Sequence, residues 1–175
     1  MIPEQKFSFL PLTPRQKQVL EVVARLDYEG STYSQVGAVL SISKKTVETY
    51  LTRARDRLGT HDIFSTIYRA YAREIITLED VVDTERVSRL EEKFHQISPR
   101  REDVLKAYIE NALQDGFVGV KVVAPKLNIS LKTLETHITR IYNDLEVHNQ
   151  AQFATAAYVH HSYMWRMDGN SKDDT

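Results

Sequence analysis

The sequence predicts an all-α protein, built as two tandem four-helix units joined by a helical linker, on three observations. Six glycines and five prolines in 175 residues are few for a turn-rich sheet. Apolar residues recur at helical intervals, as in Val47, Leu51, Ala54 and Leu58 at spacings of 4, 3 and 4. The whole pattern then occurs a second time, with Leu134, Ile138, Ile141 and Leu145 repeating that stripe.

The duplication runs through most of the chain. Residues 12–20 read LTPRQKQVL and residues 97–105 read ISPRREDVL, an offset of 85. Residues 40–53 read LSISKKTVETYLTR and residues 127–140 read LNISLKTLETHITR, an offset of 87. Leu58, His61 and Asp62 are answered by Leu145, His148 and Asn149 at that second offset. Two residues are therefore inserted ahead of the second copy's middle helix. The expected divisions are a first domain at 1–76, a linker at 77–96, a second domain at 97–163 and a disordered tail at 164–175.

Each element has a local reason. Thr13 and Ser98 are N-caps followed by a proline, whose missing N–H is harmless at the first helical position. Leu20, Val23 and Ala24 continue that helix as an apolar stripe. Gly30 breaks the chain, and Thr32 with Gln35 forms a capping box for a second helix reaching about Leu40. Ser43 and Ser130 cap third helices at about 44–58 and 131–145. Fourth helices follow at about 63–76 and 151–163. In the second copy Pro125 falls within the second helix, so that helix is expected to start late, near Val122, with the proline in its first turn. Val87, Leu90 and Phe94 share one face of a structured linker. The tail from Met167 is rich in Asp, Ser, Gly and Asn.

Composition narrows the function classes. Hydrophobic residues at 42% supply a core. The absence of cysteine excludes disulfides and thiolate metal sites. No apolar run approaches the roughly 20 residues of a membrane span, and Met1 to Lys6 lacks a signal-peptide pattern. A cytoplasmic protein with no membrane partner is expected. The net charge is −1, but residues 1–76 carry eleven basic against eight acidic side chains and the acidic excess lies mostly in the linker. That distribution is compatible with nucleic-acid binding without arguing for it. His160 and His161 are adjacent and face different sides of a helix, and no HExxH is present, so no metal is expected. There is no glycine-rich phosphate loop, nucleophile elbow or paired-carboxylate signal. No cofactor and no enzymatic activity are expected.

The string Leu12-Thr13-Pro14-Arg15, then Leu40-x-Ile42-Ser43-x-x-Thr46-Val47, then Leu58-Gly59, resembles the LuxR/GerE-type (NarL/FixJ-like) helix-turn-helix domain. Both repeats carry the resemblance, over about 130 residues. It implies a third helix that enters the DNA major groove and a fourth helix that mediates dimerisation, hence double-stranded DNA as partner, a nucleoid-associated location and a homodimer through the fourth helices. About eleven residues precede the first motif, so no receiver or ligand-sensing domain is expected there. The chain departs from the family pattern at Gln16 and Arg101, where glutamate is usual, and in the second helices, which read Gln35-Val36-Gly37 and Val122-Val123-Ala124. A lysine that commonly faces DNA is replaced by Glu48 and Glu135.

Opposite the buried stripe of each third helix stand Lys45, Thr49, Thr52, Arg53 and Asp56, and in the second copy Lys132, Thr136, Thr139, Arg140 and Asn143. By the resemblance, Glu48, Thr49 and Thr52, with Glu135, Thr136 and Thr139, face the bases. Glutamate accepts from cytosine N4, and threonine hydrogen-bonds or touches a thymine methyl. Lys44, Lys45, Arg53 and Arg57 suit phosphates, which position a domain without reading sequence. Thr46, Lys132, Thr133 and Arg140 complete the candidate set. The plain alternative is a solvated helix face. Tyr68, Tyr71, Tyr158 and Tyr163 belong to the core or to a dimer contact.

Two other functions compete with a sequence-specific regulator reading paired, similar half-sites. One is an anti-activator or adaptor that uses the same fold to bind another regulator, a reading the near-neutral charge, Glu48 and Glu135 favour. The other follows from Tyr50 to Leu58, which also resembles the promoter-reading region of sigma factors and so brings RNA polymerase into view as a partner. No core-polymerase-binding or −10-reading region accompanies it.

Overall fold

The computed structural model describes residues 11–25 and 32–169, with side chains through residue 164. Every regular element among them is helical. The first copy consists of α1 (Pro14–Ala24), α2 (Tyr33–Leu40), α3 (Lys44–Leu58) and α4 (Ile63–Ala72). A linker of α5 (Leu78–Val81) and α6 (Thr84–Phe94) leads to α7 (Pro99–Gln114), α8 (Val120–Lys126), α9 (Leu131–Leu145) and α10 (Gln150–Gly169). The chain break expected at Gly30 lies outside the described residues.

The caps act where the residue types place them. Thr13 Oγ1 accepts from the Gln16 N–H at 3.3 Å, and Gln16 Oε1 accepts from the Thr13 N–H at 2.9 Å. The glutamine that departs from the family pattern thus closes a capping box. Thr32 and Gln35 form the same box at the start of α2. Ser98 precedes α7 differently: its hydroxyl accepts from Arg101 Nε at 3.1 Å. Arg15 and Arg100, the arginines of the two first motifs, donate to the Leu40 and Leu127 carbonyls at 2.6 and 2.7 Å. Each satisfies an orphan carbonyl at the end of its copy's second helix, a structural role that spacing alone did not reveal.

Two expectations need correction, at the second helix of copy two and at the tail, while the linker is helical as expected. The second helix of copy two starts at Val120 after Gly119, so Pro125 is the sixth of its seven residues and not in the first turn. The proline costs little there because the helix ends one residue later. The linker is two helices separated by Val82 and Asp83; Leu90 and Phe94 are buried and Val87 is half-buried. The last helix runs on to Gly169, so residues 164–169 of the expected tail are helical, and the remainder lies outside the described residues.

The two copies face each other across their fourth helices. Tyr71 and Tyr158 occupy equivalent places, 87 residues apart, and their rings stack on one another with centroids 4.7 Å apart and planes 13° from parallel. Tyr71 OH also meets Thr155 Oγ1 at 3.2 Å, while Tyr158 packs edge-on to Tyr68, the residue equivalent to Thr155, at 5.8 Å. A residue that touches its own counterpart, flanked by reciprocal pairs, is the signature of a two-fold relation. The outer contacts obey it too. Helix α4 packs on α7, and α10 packs on α1, with Thr155 Oγ1 and Gln152 Nε2 donating to the Ala24 and Arg25 carbonyls at 2.9 and 3.1 Å.

Arg69 reinforces one side of this pairing. It is a residue of α4 and only 8% exposed. Its guanidinium donates to the Leu58 and Gly59 carbonyls at the end of α3, and to the Ala112, Leu113 and Gln114 carbonyls at the end of α7. Two helix C-termini, each with negative dipole character, converge on one cation. Gly116 sits against this junction at φ 64°, and a Cβ there would lie 2.4 Å from the Gly59 carbonyl oxygen. The His61 N–H closes the contact by donating to the Gly116 carbonyl at 2.8 Å. Consequently, the fourth-helix faces assigned to a homodimer are occupied within one chain: Phe64, Tyr68, Tyr71 and Phe153 are at most 1% exposed.

Candidate nucleic-acid interface

The third helices are built alike from the inside out. Val47, Leu51, Ala54 and Leu58 are at most 2% exposed, and Leu134, Ile141 and Leu145 are fully buried, with Ile138 half-buried. Burying the stripe turns the opposite face to solvent: Lys45, Glu48, Thr49, Thr52 and Arg53 are exposed, as are Lys132, Glu135, Thr136, Thr139 and Arg140. Ser43 Oγ and Ser130 Oγ accept from the Thr46 and Thr133 N–H groups at 3.1 and 3.0 Å and so fix where each helix begins.

Hydrogen bonding sorts the candidate residues. Thr46 and Thr133 hydroxyls contact the capping serines, both at 2.8 Å, and thereby serve the helix start. Thr49 and Thr52 donate to the Lys45 and Glu48 carbonyls at 2.9 and 3.0 Å; Thr136 and Thr139 donate to the Lys132 and Glu135 carbonyls at 2.9 Å each. With the proton turned inward, Thr49, Thr136 and Thr139 offer a methyl group and an acceptor lone pair outward, whereas Thr52 Oγ1 also accepts from Arg55 Nη2 at 3.2 Å. Arg57 is half-buried on the flank and donates to the Pro11 carbonyl, so part of its guanidinium holds the chain entering α1. Lys44 reaches Glu48 at 3.7 Å. Among the described residues Lys45, Arg53, Lys132, Glu135 and Arg140 have no ion-pair partner.

The two helices differ in charge and in their ends. The side chains of α3 include five basic and two acidic groups; those of α9 include two of each besides His137. Asp144 of α9 pairs with Arg101. Helix α3 stops at Gly59 in the left-handed conformation, whereas α9 stops at Glu146 with φ 53°. The Glu146 carboxylate is gripped by Lys93 at 2.7 Å and Arg86 at 3.0 Å, which hold it down to about 2. Arg86 also donates to the Glu146 carbonyl at 3.1 Å. The acidic linker thus supplies two of its three cations to the end of the second copy's third helix.

The model for bacterial regulatory proteins of the luxR family matches residues 10–70 and again residues 96–157. The chain belongs to that family. No curated protein and no solved structure matches it. The family assignment makes the chain a regulatory protein and not an enzyme, with two luxR-type helix-turn-helix domains in tandem. Among the described residues no group of three potential metal ligands comes together, and no helix is long and apolar enough to cross a membrane. The histidines pack instead: His160 is edge-on to Phe94 at 4.8 Å, His161 meets Tyr68 OH at 2.6 Å and His95 meets Tyr163 OH at 2.8 Å. Burial lowers the pKa of both His160 and His161.

Proposed function

We propose that this luxR-family chain is a transcription regulator that binds double-stranded DNA with both third helices at once. The observation that carries this reading is the pair of exposed Glu-Thr-x-x-Thr-Arg faces in two copies that pack together across the Tyr71–Tyr158 stack. A two-fold relation between the copies supports half-sites in inverted orientation, about one helical turn or roughly 10 base pairs apart if the helices enter successive major grooves. One chain would then do what a homodimer does elsewhere. Lys45, Arg53, Lys132 and Arg140 position the body on phosphates, while Glu48, Thr49, Thr52, Glu135, Thr136 and Thr139 meet base edges.

The test is retention of duplex DNA by purified protein across a series of salt concentrations, followed by selection from randomised duplexes. Each phosphate neutralised should steepen the slope of log affinity against log salt by about 0.9. The selected sequences should contain two similar half-sites as an inverted repeat. A second reading, an adaptor for another regulator or for RNA polymerase, draws on the balanced charge of α9 and the exposure of Leu131 at 43%. A salt-independent complex, or no binding at micromolar protein, would favour it.

A further inference from the structure

The two reading faces carry the same glutamate in different electrostatic settings. In α3 the Lys44 ammonium lies 3.7 Å from Glu48, one helical turn on, and both side chains are exposed. In α9 the residue equivalent to Lys44 is Leu131, and Glu135 has no ion-pair partner among the described residues. The threonines beside both glutamates hold their hydroxyl protons against their own helix. Hence no hydroxyl donor competes for the carboxylates, and the faces offer acceptors and methyls.

We infer that Glu135 is a strict specificity determinant and Glu48 a tolerant one. The inference rests on the DNA-binding reading above. A bare carboxylate carried into the major groove loses water and meets phosphate repulsion, so it is tolerated only where a base supplies an amino donor. Cytosine N4 and adenine N6 are the amino donors of the major groove; adenine sets its N7 acceptor beside that donor and repels the second carboxylate oxygen, so cytosine is the best partner, and guanine or thymine leaves a buried charge unpaired. Leu131 adds no cation on the carboxylate's flank. Glu48 brings its own counter-ion, so a mismatched base leaves it paired with Lys44. The half-site beneath α9 is therefore fixed as cytosine at the position facing Glu135, and the half-site beneath α3 is degenerate at the equivalent position. Discrimination here comes from penalising the wrong partner.

Selection from randomised duplexes with the full chain tests this directly. The wild type should give an asymmetric pair of half-sites, with a preference of about tenfold or more for cytosine in one and about twofold in the other. Leu131→Lys should relax the strict half-site to the tolerance of its mate, and Lys44→Leu should sharpen the tolerant one. Both positions are exposed first-turn residues, and an unchanged thermal midpoint shows that the variants fold. Two half-sites of equal sharpness, or a strict half-site indifferent to Leu131→Lys, would overturn the asymmetry while leaving DNA binding intact. No enriched motif together with no salt-sensitive retention would overturn both readings.

Discussion

Copy one and copy two solve the same fold with different devices, and the clearest contrast is at the ends of their third helices. In copy one the helix stops on Gly59, whose left-handed conformation is unstrained, and Arg69 ties its last carbonyls to α7. In copy two the helix stops on Glu146, where the same conformation costs a residue with a Cβ roughly 1 kcal/mol, and the linker's Arg86 and Lys93 hold it there. The equivalent of Arg69 in copy two is Ala156, fully buried in α10. One copy therefore braces its third helix from its own fourth helix, the other from a segment outside the repeat. Five basic side chains crowd α3 against two acidic ones, whereas the charges of α9 balance besides His137.

The largest effect that this contrast predicts is at Arg69. Arg69→Ala removes a buried cation from five carbonyls on two helices, and about 3 kcal/mol should be lost. Chemical denaturation of the variant measures it. A loss near zero would show that water replaces the guanidinium and that the brace is dispensable. The second effect concerns binding. Lys45→Ala with Arg53→Ala should cost more affinity than Lys132→Ala with Arg140→Ala, by about tenfold or 1.4 kcal/mol, and should flatten the salt dependence more. Equal losses would mean that both copies carry the phosphate contacts alike. A third and smaller effect is the coupling across the two-fold. A double-mutant cycle of Tyr71→Ala and Tyr158→Ala should return a coupling of about 1 kcal/mol beyond the burial of each ring. Additive losses would show two independent packing contacts.

Third helices were legible to the residue because capping serines and an apolar stripe specify their start and buried face locally. The four-helix repeat was legible because it is written twice. The relation between copies was not, since burial of Tyr68, Tyr71 and Phe153 reads the same whether the partner helix belongs to the same chain or another. The signal available was the offset of 87, which sets Tyr71 against Tyr158. Arg57 looked like a phosphate contact because charge and helix are visible in sequence, whereas its turn toward the Pro11 carbonyl depends on the path of the preceding loop. Pro125 was placed too early because the start of α8 is set by Gly119 and the docking of the α7–α8 loop on copy one, where the Val118 N–H donates to Asp62 Oδ2 at 2.7 Å.

The smallest effect separates the two components of the Glu146 cap, strain and charge. Its carboxylate is held down to about 2 from an ordinary 4.5, chiefly by hydrogen bonds from Lys93 and Arg86. A carboxylate depressed in the folded state contributes stability that is present above 4.5 and disappears as pH falls toward about 2. With the side chain 60% exposed, solvent screens the pair and keeps the contribution modest. The left-handed backbone of the residue is indifferent to pH. Glu146→Gly relieves that strain and deletes the charge together, so it should match or fall below the wild type at about pH 6 and exceed it at about pH 2. Thermal midpoints at the two pH values decide the matter. A variant more stable by the same margin at both would show that the carboxylate contributes nothing and that Arg86, through its bonds to the Leu145 and Glu146 carbonyls, does the clamping alone.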